Sequence, residues 1–162
     1  MEQMTQAEQT NFAVENESDL EGKYLTFLMD AQLFAVPIAH VVQIVSIQTI
    51  SEIPDSVNYL KGVITLRGSI IPVIDVRLRL GKPEKAYDDR TCIVVVSMHE
   101  KEVGLIVDEV DAVIAITEEN ISPPPQFAEN KTQNYLLGIG KLDTKVVLLM
   151  DTTKILSGDI LV

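Results

Sequence analysis

The chain has 162 residues, 46% hydrophobic and 23% charged, a composition typical of one compact globular unit or two small ones. Its formal net charge of −11 argues against nucleic-acid backbones and anionic lipid surfaces as partners. It has a single cysteine and no signal-peptide pattern among its first residues, which predicts a cytoplasmic protein.

An acidic lead-in opens the chain. Residues 1–23 hold six acidic residues and one basic residue, so nearly half of the net charge is local. The segment 1–22 is rich in Glu, Gln, Asn and Thr and has too few apolar residues to pack against a core. We therefore expect it to be disordered, with the ordered domain covering 23–162.

After the lead-in, the pattern is that of β-structure. Short runs of Val, Ile, Leu and Thr are bounded by turn residues, which is typical of strands. The predicted strands are Tyr24–Met29, Leu33–Pro37, Gly62–Leu66, Ile70–Val76, Thr91–Ser97, Val103–Val107, Ala112–Ile116, Tyr135–Leu142 and Lys145–Met150.

Two segments have helical features. The hook, residues 38–46, places Ile38, Val41, Val42 and Val45 at helical spacing, but its β-branched residues make a short helix and a hooked strand equally compatible with the sequence. The end of the chain has a capping residue at Asp151 or Thr152 and a glycine at 158, which predicts a final helix of about two turns.

An internal repeat is the most informative feature. Aligning 59–80 with 135–156 without a gap gives six identities in 22 positions, where average composition gives about one or two. Upstream, an offset of 69 aligns apolar patterns. A repeat of this length suits a small five-stranded barrel, so we predict two such barrels side by side, with repeat halves of about 23–88 and 89–162. Whether strands are exchanged between the barrels is left open by the sequence.

The chain has few residues suited to catalysis or to metal and cofactor binding. His40 and His99 have no partner at metal-ligand spacing, and Cys92 starts an apolar run, so neither a metal nor a cofactor is expected and the chain is not predicted to be an enzyme. Arg67 is different, since it lies at a hairpin turn within an apolar run, where Gly68 can adopt positive φ. It is either an exposed turn arginine or an anchor for a partner's carboxylate.

The block LKGVITLRGSIIPVIDVRLRLG resembles the CheW-type chemotaxis coupling proteins. The resemblance extends to YLTFLMDAQLFAVPIAHVVQI before it and to VGLIVDEVDAVIAI, ISPPPQF and YLLGIG…VVLLMDTTKIL after it, and so covers about 24–157. It implies a mostly β fold of two SH3-like five-stranded barrels, with a short helix at the hook and a C-terminal helix. It also implies a non-enzymatic adaptor that joins chemoreceptor cytoplasmic tips to the histidine kinase CheA.

The resemblance assigns roles to particular residues. A groove between the barrels would take the receptor's helical hairpin, and Gly62 and Gly68 would keep the turns of the central block open. Phe127 would belong to a contact with the regulatory domain of CheA, in rings in which the adaptor and that domain alternate. The free protein is expected to be a monomer that binds no nucleic acid, has no direct membrane contact and is recruited to membrane-associated receptor arrays. The residues that would line or border the groove are Ile38, Val41, Ile44 and Arg67.

One residue departs from the family pattern. Gln43 stands where the hook commonly has a glutamate, which removes a negative charge and leaves the hook to rely on apolar contact and shape. The alternative is a regulatory or ligand-binding double barrel without a receptor partner. A closed apolar cavity inside one barrel would favour that alternative, and a shallow groove between barrels would favour a helical partner.

Overall fold

The computed structural model describes residues 20–124 and 132–156. The α-helices that lie wholly within these ranges are α1 (Val76–Arg79) and α2 (Thr152–Leu156), and the same ranges hold three 3₁₀ turns. The strands are β1 (Lys23–Met29), β2 (Gln32–Pro37), β3 (Val41–Ser46), β4 (Leu60–Leu66), β5 (Ser69–Asp75), β6 (Cys92–Met98), β7 (Lys101–Val107), β8 (Glu109–Ala115), β9 (Ile121–Ser122), β10 (Leu136–Leu142) and β11 (Lys145–Met150).

The strands form two sheets, which confirms the mostly β prediction. The first barrel has the strand order β8-β1-β2-β11-β10-β9, and the second has the order β3-β6-β7-β5-β4. The first thus has one strand more than expected, the two-residue β9. The chain crosses to the second barrel at the 3₁₀ turn Ile38–His40 and returns at Asp108, so each barrel takes strands from both repeat halves.

The repeat is visible in the hydrogen bonds. The Asp75 amide donates to the Tyr59 carbonyl at 2.8 Å, and the Asp151 amide donates to the Tyr135 carbonyl at 2.8 Å. Both pairs are related by the offset of 76. A β-bulge also occurs at the same place in both copies, between Leu60 and Gly62 in β4 and between residues 136 and 138 in β10.

Each barrel is closed by the segment that follows its edge strand. After β3, Ser51 forms a bridge with Val63 of β4. After β8, β9 pairs with β10, with Ser122 opposite Ile139. These pairings cover the backbone groups that an open sheet edge would expose.

The largest core cluster lies between the sheets. Along β6, Val94 and Val96 join this central cluster, whereas Ile93 and Val95 fill the interior of the second barrel. Along β11, Leu148 and Met150 belong to the central cluster, and the alternate residues fill the first barrel. Because successive side chains point to opposite faces and both faces are buried, these strands have continuous apolar runs.

The hook is a hooked strand. A single 3₁₀ turn, Ile38–His40, precedes β3, because β-branched residues follow and favour extended backbone. The sequence did not predict α1, which starts where the Asp75 side chain accepts a hydrogen bond from the Leu78 amide. The last helix, α2, is confirmed through Leu156.

Two residues before the predicted boundary at residue 23 contact the fold. Leu20 packs against the central cluster, and the carbonyl of Gly22 accepts a hydrogen bond from the Ile116 amide at 2.9 Å. None of the described helices is long and apolar enough to cross a membrane.

Candidate functional site

Arg67 lies at the tip of the β4–β5 hairpin. Its φ is 52° and that of Gly68 is 79°, so both central residues of the two-residue loop adopt the left-handed region, as a type I′ turn requires. The positive φ predicted for Gly68 is confirmed. Arg67 is exposed and forms no ion pair with any residue in 20–124 or 132–156. Its guanidinium is therefore available for a carboxylate from outside the chain.

A bulge sets the orientation of the hook. Val41 lies opposite Val96 and Gln43 opposite Val95, which leaves Val42 as the extra residue. In a regular strand Val41 and Ile44 would point to opposite faces, but the bulge changes the phase and both pack against the central cluster. Each stays partly exposed, and the bulged Val42 is 41% exposed. The hook thus presents an apolar edge to solvent.

Ile38 lies beneath this edge. Its side chain is 1% exposed and belongs to the central cluster. Ile38 therefore packs under the hook and offers no surface to a partner.

The sheet register places the hook and Arg67 at the same end of the second barrel. Val41 is opposite Val96, which in turn is opposite Val103, near the start of β7. Strand β5 runs parallel to β7, with Val73 beside Gly104, so the turn that precedes β5 also lies at this end. The structure therefore brings Val41 and Arg67 to one end of the sheet, although 26 positions separate them in the sequence.

Ile70 lies beside the Arg67 turn and was not singled out by the sequence. It is 72% exposed, the largest fraction among the large hydrophobic residues that the structure describes. Along β5 it alternates in phase with Ile74, which faces the other barrel as part of the central cluster. We call Val41, Val42, Ile44, Arg67 and Ile70 the hook surface.

Gly62 has a role different from the one expected. It lies within β4, and not in a turn, with φ of 145°. A Cβ there would collide with the Ser51 carbonyl at the barrel closure. Gly138 occupies the equivalent place, where a Cβ would lie 2.8 Å from the Ser122 oxygen. The glycine of the central block is thus needed for barrel closure.

An ion cluster that sequence reasoning missed lies at the other end of the second barrel. Arg77 Nη1 is 2.6 Å from Asp30 Oδ1 and 2.9 Å from Asp108 Oδ2, and the Arg77 side chain is 8% exposed. The hydrogen bond from Arg77 lowers the pKa of Asp30. Burial alone would lower the pKa of Arg77, but the two neighbouring carboxylates have the larger effect and raise it. Only the fold brings these residues together, so their spacing gives no signal.

Cys92 and His40 are two of the described side chains that could take part in nucleophilic or acid–base chemistry, and burial shifts the pKa of each. Burial raises the pKa of Cys92, which keeps the thiol protonated and poorly nucleophilic at neutral pH. Burial lowers the pKa of His40, whose Nδ1 lies 3.3 Å from the Thr152 hydroxyl oxygen. Within the described ranges no group of three or more His, Cys, Asp or Glu residues could hold a metal ion. Side chains fill both barrel interiors, which disfavours a ligand cavity there.

Phe127 lies outside the described residues.

Comparison with known proteins gives a consistent result. The family model described as CheW-like domain matches residues 23–159. "Chemotaxis protein CheW" of Klebsiella aerogenes is 32% identical over 137 residues, which cover 85% of this chain and 82% of that protein. "Chemotaxis protein CheW" of Bacillus subtilis is 32% identical over 134 residues, covering 83% and 86%. The crystal structure of the scaffolding protein TtCheW from Thermoanaerobacter tengcongensis is similar with a TM-score of 0.77 and 32% identity, covering 86% of this chain and 90% of that chain.

Proposed function

The chain belongs to the CheW family and is a non-catalytic chemotaxis adaptor, and from this premise we propose that it couples chemoreceptor cytoplasmic tips to the histidine kinase CheA. The observation that carries the proposal is Arg67, an exposed arginine without an ion pair to any described residue, at the same end of the barrel as the apolar hook. An anchoring arginine bordered by apolar side chains is typical of protein-binding surfaces.

The receptor hairpin binds at the hook surface. Val41, Val42 and Ile44 supply partly exposed apolar side chains on β3, and Ile70 supplies another beside Arg67 at the same end of the barrel. A helical partner can lay its apolar face on these side chains and offer a carboxylate to the guanidinium. Gln43 carries no charge, so the contact at this point of the hook depends on shape and apolar area.

The kinase binds at the other barrel. Val146 is the repeat equivalent of Ile70 and is 55% exposed, so the first barrel offers an apolar residue at the matching place. We assign this end to the regulatory domain of CheA, and Phe127 stays the residue that the family resemblance assigns to the same partner. Substituting serine at Phe127 would then weaken assembly of kinase-containing arrays and leave receptor binding unchanged. Such contacts would recruit the chain to membrane-associated receptor arrays.

A three-component pull-down tests the proposal. The full chain is mixed with a soluble receptor-tip fragment and with the regulatory domain of CheA, each alone and then together. The proposal predicts two binary complexes and one ternary complex. Failure to bind either partner would contradict it, and competition between the partners would contradict the assignment of separate barrels.

A further inference from the structure

A side chain of one barrel inserts between equivalent tyrosines of the two repeat halves. The Arg79 guanidinium carbon lies 4.4 Å from the centre of the Tyr59 ring and 4.9 Å from the centre of the Tyr135 ring. The two tyrosines are related by the repeat offset of 76. Arg79 thus occupies a junction between the two halves of the molecule, where a planar cation can stack on aromatic faces.

The same guanidinium also binds the last helix. Arg79 Nε donates to the Ile155 carbonyl at 3.0 Å and Nη2 to the Lys154 carbonyl at 3.4 Å. These carbonyls lie at the C-terminal end of α2, where a positive charge is favourable. Arg79 follows β5 of the second barrel, whereas α2 follows β11 of the first, so these hydrogen bonds connect the barrels.

Arg77 of the same short helix makes a second connection. Its ion pairs reach Asp30 in the β1–β2 turn of the first barrel and Asp108 at the return crossing. Its Nε also donates to the Pro83 carbonyl at 3.1 Å, which holds the side chain in place. Helix α1 therefore reaches the first barrel at two separate points.

These arginine contacts occur in only one of the two repeat halves. The positions equivalent to Arg77 and Arg79 are Thr153 and Ile155, and Ile155 is fully buried. Neither can stack a cation between the tyrosines or pair with a carboxylate. The apolar cluster between the sheets packs the barrels together, and the Arg77 and Arg79 contacts add a directional polar connection on one side of it.

We propose that Arg79 is a positioning residue that fixes the orientation of one barrel relative to the other. The consequence for assembly rests on the proposed function: an adaptor that binds receptor on one barrel and kinase on the other needs the two surfaces at a defined angle. Loss of Arg79 leaves each binary contact intact and weakens the ternary complex. Lysine is a poor substitute, because it lacks the planar fork that stacks and reaches two carbonyls.

The test measures the distance between the barrels without any partner. Spin labels are attached at Thr65→Cys in β4 and Lys141→Cys in β10, which are exposed and repeat-equivalent, in a Cys92→Ala background. Pulsed electron spin resonance then compares the wild-type residue with Arg79→Met and Arg79→Lys. Arg90→Met, whose side chain is 75% exposed, is the matched control.

We expect one narrow distance distribution for the wild-type residue and for Arg90→Met, and a broader or shifted one for both Arg79 variants. In unlabelled proteins with native Cys92, Arg79→Met should keep the wild-type affinity for the receptor fragment alone. The affinity of the ternary complex should fall about ten-fold, because binding both partners at once depends on the angle between the barrels. If Arg79→Met does not fold, the distance distributions of Arg79→Lys and Tyr59→Leu provide the test. An unchanged distribution in folded variants would overturn the proposal, whatever the pull-downs show.

Discussion

Gly62 and Ser51 meet at the closure of the second barrel, where the Ser51 carbonyl occupies the space that a Cβ at position 62 would need. Ser51 also forms the bridge with Val63, the residue after Gly62, that joins the segment after β3 to β4. The hook and the Arg67 hairpin are thereby tied into one barrel.

Gly62→Ala should lower the free energy of unfolding by about 2–3 kcal/mol, since the added methyl must displace backbone. Gly68→Ala is the control, because a Cβ there meets nothing within 4 Å and only the positive φ opposes it. We expect it to lose about 1 kcal/mol. Urea unfolding of both variants measures the difference, and equal losses would contradict the closure argument.

The ion pair between Asp30 and Arg77 should make stability depend on pH. The folded-state pKa of Asp30 is lowered, first by the hydrogen bond from Arg77. The stabilisation is therefore present above the unfolded pKa of about 4 and is lost as pH falls through the folded value. Because the Asp30 side chain is 45% exposed, solvent limits the effect to at most about 1 kcal/mol.

Asp30→Asn isolates this contribution, because asparagine tolerates the φ of 54° at this position. The variant should be less stable than the wild type at pH 7, and the difference should shrink below about pH 4. Asp55→Asn, at an exposed position with φ of 59°, is the control. A difference that persists at pH 2 would contradict the assignment.

The start of the domain can be tested by two deletions. Removing residues 1–22 takes away Leu20 and the Gly22 carbonyl, both of which contact the fold. This deletion should lower the free energy of unfolding by about 1 kcal/mol more than removal of residues 1–19, because the buried apolar surface of Leu20 is lost. Thermal unfolding compares the two, and identical melting temperatures would place the boundary after Gly22.

The sequence predicted the strands well where apolar runs end at turn residues. The repeat also predicted two similar barrels, because 59–80 and 135–156 share a glycine, a polar turn and an aspartate at the same spacing. Strand exchange was not predictable, since β3 and β8 have similar patterns and pairing partners are set by the crossings at Ile38–His40 and Asp108.

The site was predicted in part. Arg67 and the hook were singled out from the sequence and remain a prediction as a binding site, and helical spacing could not reveal that a bulge at Val42 turns Val41 and Ile44 to one face. Ile38 has the same apolar character as its neighbours, and only the fold shows that it is buried. Ile70 carries no sequence signal of exposure, because it lies in the apolar run IIPVI, most of which is buried.

The most direct test of the adaptor role is receptor-fragment binding by Arg67→Glu compared with Asp143→Lys. Asp143 is the repeat equivalent of Arg67, in an exposed hairpin turn with φ of 51°, so both changes reverse a charge in the same backbone setting. We predict that Arg67→Glu stays folded and binds the receptor tip at least about ten-fold more weakly, as for loss of an interface arginine, whereas Asp143→Lys binds like the wild type. Wild-type affinity in Arg67→Glu would contradict the assignment of the receptor to the hook surface.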